Sequence, residues 1–167
     1  MSCLGVHLAL TDEEVDKLES LPSDAERLEY IQEDLEERYF SEHREFLAQS
    51  DKAWDAIHRA LGNGDLSYTS GPDPLRFTIL GGTPLYYGGD YIISLKLPLA
   101  VGAVAQALQS LTHEDFRKCY DAMDAGKYGF PKSDEDFEYT WRWLTEIRDF
   151  YQRAAEAERC VIFTADQ

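Results

Sequence analysis

The sequence predicts an α+β fold, one domain of about six helices around a small mixed or antiparallel sheet of three to four strands. Three observations carry this. Segments with helical periodicity fill most of the chain, the longest being Asp134–Ala157, DEDFEYTWRWLTEIRDFYQRAAEA. Short alternating or wholly apolar runs stand at Leu4–Leu10, Asp90–Lys96 and Cys160–Ala165. Finally, helices and strands follow no regular β–α alternation, which separates α+β from α/β. A chain of 167 residues supports one substantial core and is short for two.

Taken in order, Leu4, Val6, Leu8 and Leu10 alternate with Cys3, Gly5, His7 and Ala9, which reads as a strand. Thr11-Asp-Glu-Glu14 is a capping box opening a short helix with Val15 and Leu18 inward. Pro22 ends it, and Ser23-Asp-Ala-Glu26 opens another whose buried stripe is Leu28, Ile31, Leu35 and Tyr39. Phe40–Gln49 is read as a bent or broken continuation of that helix. Ser50 is a candidate N-cap for a helix over Asp51–Leu61, with Gly62 as its stop.

The stretch GNGDLSYTSGPDP, Gly62–Pro74, is a loop by composition. Leu75–Leu80 is too short to assign to helix or strand. Glycine pairs at Gly81-Gly82 and Gly88-Gly89 fence Thr83–Tyr87, and DYIISLK follows as a strand. Pro98 suits the first turn of an Ala- and Val-rich helix reaching Leu111, and Thr112 caps another through Met123. Gly126–Lys132 is a turn before the long helix that Ser133 caps. The strands at the two chain ends are expected to share one sheet.

In the long helix Phe137, Trp141, Leu144, Tyr151 and Ala155 share a face, with Tyr139, Trp143, Phe150 and Ala157 beside it. So wide an apolar arc implies burial on several sides. Arg148 interrupts it. It must reach water along its stem, meet a carboxylate such as Asp55 or Asp90, or face a ligand.

Charge narrows the function classes. The net charge is −16, and residues 12–51 hold 15 Asp or Glu against 4 Lys or Arg. Such a field repels phosphate backbones and anionic lipid surfaces, so nucleic acid and membrane are disfavoured as partners. A basic protein would be attracted to these acidic helices. The plainer explanation is a solvated face that keeps a small protein soluble. No apolar run approaches the roughly 20 residues of a membrane span, and the N-terminal stretch lacks the basic start of a signal peptide. The isolated Cys3, Cys119 and Cys160 suit reduced thiols in a cytoplasmic protein. No metal-ligand spacing occurs, and neither a metal nor a cofactor is expected.

Candidate chemistry is sparse. Asp51, Asp55 and His58 lie on one edge of their predicted helix, beside Trp54. Two carboxylates should raise the histidine pKa and make a general acid or anion anchor. A surface ion pair, with Asp55–Arg59 worth roughly 0.3–0.5 kcal/mol, is the simpler account. Gly81 and Gly82 would let backbone approach a ligand, or simply turn. Tyr86, Tyr87 and Tyr91 would line a pocket or pack. No nucleophile has a visible partner, so an enzyme is disfavoured.

Several segments together, SCLGVHLALTDEEVDKL, KAWDAIHRAL, ILGGTPLY, DYIISLK, DFEYTW and RAAEAERCVIFTADQ, resemble the YfbM-like proteins of bacteria. The resemblance spans nearly the whole chain. It implies a small cytoplasmic α+β domain, and it implies no activity and no catalytic residues, because that family is a domain of unknown function. Two readings follow. One is a non-catalytic binding protein, inhibitor- or immunity-like, that meets a basic partner through residues 12–51. The other is a small-molecule pocket between helix 51–61 and helix 134–157. There Asp55 and His58 would do acid–base work, with Trp54, Trp141, Tyr151, Arg148, Gly81, Gly82 and Asp90 as ligand-binding residues.

Overall fold

In the computed structural model, which describes residues 3–167, the last strand is the centre of the sheet. β5 (Cys160–Asp166) lies antiparallel between β1 (Gly5–Leu10) and β4 (Tyr91–Lys96), so the two chain ends do share one sheet. β2 (Leu47–Asp51) pairs with β1 and the two-residue β3 (Thr83–Pro84) with β4. The order is β2-β1-β5-β4-β3, every neighbour antiparallel. There are five strands, where three or four were expected. The central position explains the nearly continuous apolar run CVIFTA in β5, broken only by Thr164, since a strand covered on both faces has no solvent side to alternate with.

β2 corrects the expectation of a continuing helix. The second helical stretch runs from α2 (Asp24–Tyr30) through a π-helical segment, Ile31–Glu36, into α3 (Glu37–Glu42). It stops at His43, where φ −129°, ψ 42° leaves the helical region. A 3-10 turn over Arg44–Phe46 then hands the chain to the sheet edge. Ser50 is therefore a strand residue and caps nothing. Helix α4 (Trp54–Leu61) starts three residues later than predicted, after Ala53, without a side-chain cap. Leu75–Phe77 is a 3-10 turn.

Helices cover both faces of the sheet. On one side Leu8, Leu10, Ile93 and Ile162 pack against Val15 and Leu18 of α1 (Asp12–Ser20), Tyr30 of α2, Ile31 and Leu35 of the π-helical segment, and Tyr39 of α3. On the other, Ala9, Val161 and Phe163 meet α4, α5 (Pro98–Ser110) and α8 (Asp134–Glu156). The short α6 (His113–Asp121) and α7 (Ala125–Tyr128) close that side. The two faces bury alternate residues of β1, β4 and β5, as the pleat requires.

Local signals place the helix starts. Thr11 and Glu14 form the reciprocal capping box, and Ser23, Thr112 and Ser133 each accept from the backbone three residues on. In α8 the buried stripe is Phe137, Thr140, Leu144, Ile147, Tyr151 and Ala154, with Phe150 beside it. Trp141, Trp143 and Tyr139 are only half-buried at its flanks. The tryptophans thus mark the edge of the stripe and not its centre, because a large ring at the border still shields much apolar area while staying partly wet.

Candidate functional site

Position in α4 decides the fate of His58. One turn of helix places it beside Asp55, as the spacing predicts. The fold then turns its ring inward. It is 1% exposed, its Nε2 lies 2.8 Å from Ser67 O, and its Nδ1 accepts from Leu80 N at 3.4 Å. The Nε2–H tautomer satisfies both contacts, and a proton on Nδ1 would oppose the Leu80 N–H. Burial is the main cause that lowers its pKa, to about 4, with Lys96 and Arg59 adding repulsion. The expected rise is therefore reversed. Asp51 has left the helix for β2, and Asp55 is engaged by Arg59 at 2.7 Å.

The floor beside His58 is a buried polar layer that local spacing does not show. Lys96, in β4, is 1% exposed, and its ammonium nitrogen meets Ile79 O and Ser94 O. Its pKa is driven well below the usual lysine value by burial. His7 in β1, likewise buried, contacts Ser50 Oγ at 3.1 Å and has its pKa lowered by burial first and Lys96 second. The signal available in sequence was a lysine at an inward position of an apolar strand. Tyr151 crosses to the same region and donates to Thr78 O at 2.8 Å.

Arg148 stands elsewhere. It is half-buried, with Leu108, Leu111, Trp141 and Thr145 around its stem, and its Nε lies 3.6 Å from Asp149 Oδ1. Neither Asp55 nor Asp90 reaches it. The hydrogen-bond partners of His58, Ser67 and Leu80, are not among the residues around the Arg148 stem, and no hydrogen bond or ion pair joins these two candidates among the described residues. Trp141 belongs to an aromatic group with His113 and Phe116. Gly81 is buried and its N–H is already spent on Arg76 O at 3.0 Å, so it offers no free donor to an anion. Gly82, at φ 123°, passes under Leu95 O, where a Cβ would collide.

Trp54 does line a cavity, of about 460 Å³, and no residue of α8 contributes to it. Its aromatic walls are Trp54, Tyr68, Tyr86, Tyr87 and Tyr91. Trp54 is anchored by Nε1–H donation to Cys3 O at 2.9 Å. Tyr86 donates to Asp90 Oδ1 at 2.7 Å, and Tyr91 to Glu36 Oε1 at 3.4 Å. Burial pushes Tyr91 up to about 12, with Glu36 beside it adding to the effect. Asp24 accepts from Tyr87 N at 2.8 Å, tying the loop to α2. Of the sequence candidates, Trp54 lines this cavity and Asp90 stands behind its wall; Tyr68 was missed because it sits in a stretch whose composition says only loop.

The outer layer, α1–α3, carries the acidic charge. Some carboxylates are structural: Glu14 accepts from Arg38 at 2.7 Å and Tyr39 at 2.6 Å, and Glu36 from Thr164 at 3.3 Å. Arg27 and Lys17 meet Asp24 and Asp34. Glu26, Glu29, Glu33 and Glu37 are exposed at three- and four-residue spacing, and none has an ion-pair partner among the described residues. The same holds for Asp12, Glu13, Asp16, Glu19 and Glu42. Among the described residues no group of three or more His, Cys, Asp or Glu is placed to hold a metal ion, and no helix is long and apolar enough to cross a membrane.

Comparison with known proteins agrees with this architecture. A family model described as a domain of unknown function, DUF1877, matches residues 1–164. The crystal structure of YfbM from Escherichia coli, itself described as a protein of unknown function, superposes with a TM-score of 0.64 at 18% identity. That match covers 97% of this chain and 99% of the YfbM chain. At that identity it speaks for the fold alone. No curated protein matches in sequence.

Proposed function

From a chain that belongs to the DUF1877 family, we propose a non-catalytic binding protein that docks a basic protein partner on the outer face of α1–α3. The observation that carries this is the row Glu26, Glu29, Glu33 and Glu37, exposed and without ion-pair partners among the described residues. Like charges at such spacing oppose the helix by roughly 0.2–0.5 kcal/mol per pair. Glu26 offsets part of this by accepting from Ser23 Oγ at 2.7 Å in the α2 cap, whereas the side chains of Glu29, Glu33 and Glu37 make no hydrogen bond or ion pair among the described residues, as on surfaces kept for binding. A basic partner would relieve that repulsion and would be steered by the field before contact. An inhibitor- or immunity-like role is the form this takes in our reading.

Two further features support it. His58, the best acid–base candidate in sequence, has both ring nitrogens engaged by backbone and is held neutral. Cys3, Cys119 and Cys160 are free thiols, which supports a reducing, cytoplasmic setting.

The test is capture of partners from the native cytoplasm at about 0.05 M and about 0.5 M salt, followed by affinity measurement on the purified pair. Electrostatic docking weakens steeply over that range, which spans Debye lengths from beyond about 10 Å to below about 5 Å. A partner whose affinity is insensitive to salt argues against this reading.

A further inference from the structure

We propose that the aromatic cavity beneath the 83–90 loop binds a small organic cation, an alkyl-substituted ammonium held against tyrosine faces. The site goes beyond the docking surface on α1–α3 and does not depend on it. The rings of Tyr86 and Tyr91 pack edge to face at 73°, with centroids 6.0 Å apart, and both line the cavity. Tyr68, Tyr87 and Trp54 complete the walls. Ring faces carry negative quadrupole density, and a desolvated ammonium is the ligand that uses several of them together.

The surroundings select positive charge. Tyr86 and Tyr91 both donate their hydroxyl protons to carboxylates, Asp90 and Glu36, which enriches the rings in electron density. Asp24 brings a third carboxylate to the loop at Tyr87 N. No Lys, Arg or His side chain lines the cavity among the described residues. Arg27 touches the loop at Leu85 O but is held by Asp24 at 3.7 Å.

An anion would find carboxylates behind the walls and no donor cation. A bare metal ion would find no carboxylate side chain among the lining residues to replace its water. An alkylammonium needs neither, since its charge is spread over methyl groups that tolerate an apolar wall. The volume, about 460 Å³, is that of an ordinary small-molecule site.

The experiment titrates choline into the full-length protein by calorimetry at about 0.15 M salt. Its uncharged carbon isostere, 3,3-dimethylbutan-1-ol, is run in parallel. The expected result is saturable one-site binding of choline, with the isostere weaker by about tenfold or more. Tyr86→Leu should weaken choline about tenfold and Tyr86→Phe, which keeps the ring but loses the Asp90 link, only a few-fold. Tyr86 is partly buried against Tyr91 and the core, so Tyr86→Phe should melt with the wild type and Tyr86→Leu slightly below it, and choline binding is compared well below both melting temperatures. Equal affinity for the isostere overturns the proposal, as does unchanged affinity in Tyr86→Leu. So does the absence of saturable binding up to about 20 mM, beyond which affinity is too weak to be specific. The variant Glu29→Lys with Glu33→Lys should leave choline binding unchanged; a parallel loss there would assign the cation to the diffuse field of the acidic face and overturn the site.

Discussion

Acidification should unfold this protein through His58, and the size of the effect can be worked out. The imidazole is neutral and buried when folded, with its pKa lowered to about 4, and titrates near 6.5 when unfolded. The unfolded state therefore binds more protons over the window between those values. Stability from this group is fully present above about pH 6.5, falls as pH drops, and levels off below about pH 4. The loss is about 2 kcal/mol at pH 5 and about 3 kcal/mol at pH 4. His7, lowered in the same direction, adds to it. Glu36 and Asp55 oppose it, because burial raises both carboxyls and acid relieves their charge.

The assay must therefore take a difference. Urea unfolding of the wild type and of His58→Gln, at pH 7.5, 6, 5 and 4, isolates the His58 contribution. Glutamine should cost stability at pH 7.5, since one amide cannot keep both the Ser67 and Leu80 contacts in place. That deficit should shrink by about 2 kcal/mol at pH 5. A deficit that stays constant with pH would refute the burial of a neutral imidazole.

Other consequences are quicker to check. Lys96→Met should abolish a rise in stability between pH 7 and pH 10 that the wild type shows, because a buried amine with a depressed pKa becomes free of its ionisation cost as the unfolded lysine approaches its own titration; denaturant midpoints read this directly. Gly82→Ala should cost about 2 kcal/mol or more, combining a strained positive φ with a collision at Leu95 O, and would lower the melting temperature by several degrees. Arg148→Met should change stability by less than about 1 kcal/mol, since its contact with Asp149 at 3.6 Å is solvent-screened. Glu29→Lys with Glu33→Lys should raise the melting temperature slightly, because the new cations face Glu26 and Glu37 at three- and four-residue spacing, which outweighs the like-charge pair they still make with each other.

What could be read from the sequence was what local rules decide. The caps at Thr11, Ser23, Thr112 and Ser133 need only a side chain and the backbone three residues on. The terminal strands were visible because CVIFTA and the alternation in Leu4–Leu10 are strand-like in themselves. β2 was not, because LAQSD becomes a strand only by pairing with β1. His58 shows the same limit: its helical neighbours argue for a raised pKa, and Ser67, Leu80 and Lys96, which reverse it, arrive from other parts of the chain. The site residues divide likewise. Tyr86, Tyr87 and Tyr91 were visible as a cluster, whereas their meeting with Trp54 and Tyr68 depends on how the loops fold back.

The central claim is that the acidic face of α1–α3 is a docking surface and more than a solubilising one. Two triple reversals of identical charge test it against a partner captured from the native cytoplasm. One carries Glu29→Lys, Glu33→Lys and Glu37→Lys; the other carries Glu114→Lys, Glu135→Lys and Glu138→Lys on α6 and α8, on the opposite side of the sheet. Docking predicts that the first loses partner affinity by roughly a hundredfold or more, for three lost charge contacts, while the second stays within about threefold of wild type. Equal losses in the two variants would show that only net charge matters and contradict the account.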